Sequence, residues 1–375
     1  DDHRIVTGAS RAASVGGGVY GLFDAMRLWW RVVRVEDPSV MGRFRPVNQV
    51  GDVILVSLLG GRALPWRILL FLATGATAAL LFRLGRAFFS SPWAAAVFSL
   101  GVMLSPSPGP SSAWYRLVPK EWMGLLLLCS GVVLQLEPAD ARSRPRRVVG
   151  LGLCVLGGAS KESFVVALPA VGLALVLAEV QRTGATWIVA ARSRRASLGV
   201  LAGAFILFTG SIAGALVSAG AASYGARGIG GGLGRLLSSI GRDLWLAPQL
   251  SWWFIPAAAG VGLVIAQRDV GRDAKRFAGA AVFAATLCAP EFVLHAPRGG
   301  MWDHYWIPCV VGMAAVNAAG VACSCCASAG HALALRRVVF AMGVLWLANA
   351  LRIDVASVLN FRNMAEAQQE AVGFI

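Results

Sequence analysis

The sequence predicts an all-α fold: a polytopic transmembrane helical bundle of about ten membrane helices, some of them short, with an extracytoplasmic loop of amphipathic helices. Three observations carry this. Apolar stretches of roughly 15 to 22 residues recur along the chain, and a helix rising about 1.5 Å per residue needs roughly 20 of them to cross a hydrocarbon layer of about 30 Å. Of the 375 residues, 57% are hydrophobic and 14% charged, with a mean hydropathy of +0.66, more apolar surface than a soluble core requires. The 34 basic residues, against 19 acidic ones, sit mostly in short loops between apolar runs, so membrane orientation accounts for the net charge of +15 better than nucleic acid does.

Three regions follow from this pattern. Residues 1–63 form a first extracytoplasmic loop with interfacial helices, 64–352 the transmembrane bundle, and 353–375 the start of an extracytoplasmic C-terminal segment. The chain opens on Asp1-Asp2-His3-Arg4 and closes on Phe374-Ile375, and the expectation is a fragment at both ends, with a membrane helix before it and a further domain after it. In Val19 to Val33, apolar residues and the pair Trp29-Trp30 alternate at helical spacing with Asp24, Arg27 and Arg31, the pattern of a helix lying along a membrane surface. Gly16 to Gly21 formally fits G-x-G-x-x-G, but no apolar strand precedes it and no βαβ unit surrounds it, so it is not a dinucleotide fingerprint. The tail from Asp354 to Val372 has an amphipathic pattern, read either as a helix or as a frayed terminus.

The membrane helices are expected at Leu64 to Leu84, Ser91 to Ser105, Trp122 to Leu136, Val148 to Gly158, Ser163 to Glu179, Leu198 to Ala219, Pro248 to Gln267, Ala278 to His295, Ile307 to Ala327 and Val338 to Arg352. Val148 to Glu179 is too long for one span and too short for two, and Lys161-Glu162 interrupts it, so two short helices are expected to meet at that pair. Counting loops on alternate sides groups Arg83 and Arg86, Arg142 to Arg147, Arg182 to Arg195, Arg268 to Arg276, and Arg336 with Arg337 on one face, cytoplasmic by the positive-inside rule. The glycine run from Gly228 to Gly234 falls on the outer face, as a flexible loop able to act as a lid. Cys129, Cys154, Cys288 and Cys309 fall inside spans, where a thiol behaves as a small apolar residue, and no disulfide framework is implied.

Charges near bilayer depth are expensive, so those outside the inner loops point to function. Asp1, Asp2, Arg116, Lys120, Glu121, Lys161, Glu162, Glu291, His295, Arg298, Asp303 and His304 all map to outer helix ends or outer loops. An outward-opening cleft of facing carboxylates and cations satisfies them together. Arg116 and Lys120 can hold a phosphate between them. Lys161 and Glu162 are either a snorkelling loop or the lining of a polar cavity, the setting in which membrane proteins tolerate irregular backbone. Glu291 and His295, at i and i+4, share a helix face; an interfacial histidine and a metal or phosphate ligand are both open readings, without the spacing of a zinc site.

The outward carboxylate pair Asp1-Asp2, then Gly42-Arg43-Phe44-Arg45-Pro46, Arg116 with Glu121, and Lys161-Glu162 at paired short helices resembles the GT-C superfamily of membrane glycosyltransferases, and in particular its protein-mannosyltransferase-like members. The resemblance implies transfer of a sugar from a polyprenyl-phosphate donor to an extracytoplasmic glycan, lipid or protein acceptor, in a multi-pass protein of the cytoplasmic membrane whose site faces outward in the cell envelope. It implies that Asp1 or Asp2 takes the acceptor proton or helps to hold a divalent cation, no other cofactor being implied. It implies a leaving phosphate held by Arg116, Lys120, Lys161 or Arg298, with Glu121, Glu162 and His304 in the same site.

A polytopic transporter or lipid flippase is the alternative, because secondary carriers also place charge at helix breaks. A structural scaffold is the third reading. Unlike halves and charges gathered at outer helix ends, away from the midplane, favour the transferase. On that reading Asp1→Asn or Asp2→Asn lowers transfer in isolated membranes by roughly 10²- to 10⁴-fold while the protein stays folded; unchanged turnover in both single mutants and the double mutant removes carboxylate catalysis.

Overall fold

The computed structural model describes residues 45–59, 63–89, 91–104, 120–136, 143–219, 270–295 and 307–326, with scattered positions between 234 and 359. Every regular element among the described residues is helical: α1 (Pro46–Leu59), α2 (Ala63–Phe89), α3 (Pro92–Met103), α4 (Lys120–Gln135), α5 (Arg144–Gly158), α6 (Glu162–Val165), α7 (Leu168–Thr183), α8 (Trp187–Ser193), α9 (Arg195–Ala219), α10 (Val270–His295) and α11 (Ile307–Cys326). Three stretches are long and apolar enough to cross a membrane: Arg67–Phe89, Glu162–Thr183 and Arg195–Gly214, with mean hydropathies of 1.9, 2.2 and 1.9. Shorter apolar helices cover Pro92–Met103, Met123–Gln135, Phe277–Glu291 and Ile307–Cys323.

These helices meet the expected apolar stretches within a few residues from Leu64 through Gly158 and again from Leu198 to Ala219 and from Ile307 to Ala327, whereas α10 ends at His295 as expected but begins at Val270, within the stretch Arg268 to Arg276 expected as a loop. The expected span Pro248 to Gln267, the surface helix Val19 to Val33 and residues 228–233 of the glycine run lie outside the described residues, and Val338 to Arg352 is described only at scattered helical positions. One expected short helix is longer than its prediction. From Glu162 the chain runs through α6, a step at Val166 and Ala167, and α7 to Thr183, the length of a full span. Pro169 sits in the first turn of α7, where its missing N–H costs no intrahelical bond, so the helix restarts there without breaking.

Local signals set the ends. Ser91 caps α3, its Oγ accepting from Ala94 N at 3.4 Å, with Pro92 next. Gly184, at φ +68°, takes the left-handed position that closes α7.

Neighbouring helices pack antiparallel and close. Ser99 Oγ of α3 donates to the Ala78 carbonyl of α2 at 2.8 Å, while Gly85 lies so near α3 that a Cβ there would stand 2.7 Å from Ala95 Cα. At the α4–α5 crossing, a Cβ on Gly131 would stand 2.6 Å from the Gly150 carbonyl, and one on Gly150 would stand 2.8 Å from the Gly131 carbonyl. Gly312 of α11 meets Ala284 of α10 in the same way, at 2.8 Å from Cα. Lipid tails are as apolar as leucine, so membrane helices gain by close contact through small residues. The core is α7, packed against α2, α4, α5, α9 and α10, with Leu168 and Leu175 fully buried. Val200, Ile206 and Leu207 of α9 and Ile68, Phe71 and Leu72 of α2 face outward, which suits a lipid solvent.

The alternation of direction brings the start of α4, the end of α5, the start of α6, the end of α10 and the start of α11 to one end of the bundle. The end of α4, the start of α5, the end of α7 and the start of α9 gather at the other. Gly131→Leu, which drives a side chain into the α5 backbone, is expected to destabilise the bundle by roughly 1–3 kcal/mol; a detergent melting curve indistinguishable from wild type would show that this contact does not hold α4 to α5.

A candidate functional site at the α5–α6 break

Gly157-Gly158 ends α5 and Lys161 opens the next helix with extended backbone, φ −160° and ψ 155°. The carbonyls stranded at this end find partners: Ser160 Oγ donates to Gly157 O at 2.6 Å, and Val47 N, from the first turn of α1, donates to Ala159 O at 3.3 Å. At this break the chain leaves helical geometry under cover of protein. Gly124 of α4 closes over the break, leaving no room for a side chain against Ser160 and Phe164.

Four charges meet here. Lys161 is fully buried, which a snorkelling side chain would not be. Glu291, near the end of α10, is equally buried; the charges of Lys161 and Glu162 act on its carboxyl, and Ser163 lies beside it. Glu162 Oε2 accepts from Arg45 Nε at 3.0 Å, with both side chains largely shielded. Two cations and two carboxylates thus gather at the break, Arg45 paired directly with Glu162, a balance that lets charge persist in an apolar bundle. Pro290 stands inside α10 just before Glu291 and deprives the Thr286 carbonyl of its usual donor, loosening the helix beside the carboxylate. One turn below, the Cys288 thiol donates to the Cys309 carbonyl at 3.8 Å, joining α10 to α11.

An apolar cleft of about 110 Å³ starts under this cluster. Leu125, Phe164, Leu287, Ile307 and Pro308 line its near end, and Leu177, Gln181, Phe88 and Gly279 its far end. The whole has the profile of an amphiphile: charge at one end, a hydrocarbon slot beneath.

Of the expected site residues, the break unites Lys161 with Glu162, and α10 brings Glu291 to them. Lys120 and Glu121 begin α4, one turn before Gly124, so their backbone lies beside the break; their side chains, like that of His295, are outside the described residues. Asp1, Asp2, Arg116, Arg298 and His304 lie outside the described residues altogether. Among the described residues no group of three His, Cys, Asp or Glu side chains is placed to share a metal ion. Arg45 belongs to the site although the sequence reading quoted it only within its motif; its place two residues before Val47, at a helix start, is the signal.

The opposite end holds a second polar group that sequence reading assigned to loop charge. Arg194 is buried, its guanidinium donating to Glu179 Oε2 at 2.7 and 3.1 Å and to the Gln135 carbonyl at 2.7 Å. Gln135 continues the network, donating to the Arg147 carbonyl and accepting from Ser197 Oγ at 3.2 Å. Arg182 adds a second cation to Glu179 at 2.6 Å. This group ties α4, α5, α7 and α9 together through side chains bonded across helices, the arrangement of a structural connector.

No family model matches the chain, and neither does any curated protein or solved structure. Arg194→Leu, which leaves the buried Glu179 only the half-exposed Arg182 as a cation, is expected to cost about 3 kcal/mol, and Glu179→Leu paired with Arg194→Leu less than the sum of the two single losses; melting temperatures in detergent decide, and a double mutant whose loss equals that sum would rule out ionic coupling.

Proposed function

We propose that this chain is a membrane glycosyltransferase that moves a sugar from a polyprenyl-phosphate donor to an extracytoplasmic acceptor. The observation that supports the reading is the buried Lys161, grouped with Glu162 and Glu291 and followed along the same elements by Phe164 and Leu287, which line an apolar cleft. An isoprenoid chain suits the cleft, and Lys161, on the same stretch of chain as the lining residue Phe164, is the cation assigned here to its phosphoryl group. The resemblance to the GT-C superfamily supplies the reaction. The acceptor hydroxyl oxygen attacks the anomeric carbon, the sugar–phosphate bond breaks, and its electron pair goes to the phosphate, where Lys161 stabilises the growing charge. The hydroxyl proton passes to a carboxylate, Asp1 or Asp2 on this reading, with a divalent cation as an optional partner of those acids. Arg116, Lys120 and Arg298 add positive charge, and Glu121, Glu162 and His304 complete the polar wall.

About ten spans, a cytoplasmic-membrane location and an outward-facing cluster belong to the same proposal, supported by the arginine-rich loops at the opposite end. A lipid flippase is the second reading, favoured by the length of the cleft, which reaches Gln181 near the other end of the bundle. Transfer chemistry separates them: with a panel of polyprenyl-phosphate sugars, a transferase releases polyprenyl phosphate, whereas a flippase moves the lipid intact. Lys161→Met combined with Glu291→Gln, which keeps the cluster free of a lone buried charge, is expected to lower donor turnover by roughly 100-fold while preserving the melting temperature. Donor and acceptor kinetics impaired equally would remove the leaving-group role.

A further inference from the structure

Asn48 is 2% exposed, and neither its amide nitrogen nor its amide oxygen has a hydrogen-bond partner among the described residues. Buried amides are ordinarily satisfied, and leaving one unpaired is costly. Its position explains the anomaly. Arg45 immediately precedes α1, and Asn48 and Gly51 follow on the helix at intervals of three, so the three sit along one side of its first turns. Arg45 binds Glu162 at the break, and a Cβ on Gly51 would touch Met123 of α4 at 3.4 Å. Asn48 therefore lies between them, in the wedge formed by α1, the first turn of α4 and the α5–α6 break. Between Arg45 and Asn48, Val47 N is spent on Ala159 O, so the backbone does not answer the side chain.

The chemistry of an amide narrows what completes it. Its NH₂ donates twice and its oxygen accepts, so a phosphate, which offers acceptors alone, leaves the oxygen unpaired. A group that both donates and accepts, such as a pair of neighbouring hydroxyls, satisfies both atoms. We infer that Asn48 is the subsite that reads the sugar hydroxyls of the lipid-phosphate donor, the cations of the cluster holding the phosphate. This rests on the donor reading above and assigns it a specificity-determining residue.

The test uses the opposite signs that the two states demand. Asn48→Leu keeps the branched outline at a somewhat larger volume and removes the unpaired polar atoms, so the ligand-free full chain in detergent is expected to melt roughly 2 °C or more above wild type. Polyprenyl phosphate is expected to stabilise both proteins equally. The additional shift given by polyprenyl-phosphate mannose, glucose or arabinose is expected in wild type and lost in Asn48→Leu, with an apparent Kd weaker by roughly 10-fold. Asn48→Ala, read the same way, guards against a packing fault of leucine. A sugar-dependent shift retained in full by both variants overturns the assignment and leaves the donor reading standing. A shift from methyl α-mannoside alone, lost in both variants, moves the subsite to the acceptor and overturns it as well. No shift of wild type by any of these lipids overturns the donor reading and Asn48 with it.

Discussion

A lysine ammonium and a glutamate carboxylate taken out of water inside an apolar bundle persist only face to face, and most of the architecture around residues 159–163 meets that demand. Lys161 lies on the chain between two helices and Glu291 on α10, more than a hundred residues later, and each is buried where α5, α6 and α10 converge, close enough for the lysine's charge to act on the carboxyl. Desolvation of a single charge costs several kcal/mol, which a partner must offset. The same demand extends outward. Glu162 would be a third charge without balance were Arg45 not held against it at 3.0 Å, and Arg45 in turn anchors the first turn of α1 over the break.

Backbone geometry and charge are two sides of one solution here. A helix can stop inside a membrane protein only where its last carbonyls are met by protein donors. Ser160 and Val47 meet them, and the glycines at 124, 157 and 158 give the neighbouring chains room to come close enough. Removing side chains from these positions brings polar backbone together and shuts water out. The apolar cleft begins where this polar layer ends, so the head of any bound amphiphile meets charge while its tail stays in hydrocarbon.

The other end of the bundle uses arginine differently. Arg194 reaches Glu179 and the last carbonyls of α4, so a residue counted among loop cations by the positive-inside rule is a buried connector of four helices. Its guanidinium fork presents several donors in one plane, and a lysine could not meet a carboxylate and a carbonyl together in this way. The rule counts charges by loop and has no means of telling an exposed arginine from one folded back against a glutamate one helix away. Two polar ends of unlike kind result: one binds four helices together through Arg194, the other gathers charge at a helix break.

Hydropathy and punctuation, read along the chain, were enough to place the apolar helices from 63 to 219 and from 277 to 326, the interruption at Lys161-Glu162, and Glu291 on the same side as that pair. Those features depend on the solvent and on neighbours within a turn or two, and a linear sequence records both. Whether Lys161 snorkelled or lay buried, that Arg45 and not a loop cation would hold Glu162, that Asn48 would be enclosed without a partner, and that Arg194 would turn inward were decided only by packing. Each depends on which helices touch, and distances between residues more than a hundred positions apart are set by the fit of small residues at helix crossings, which no local pattern encodes.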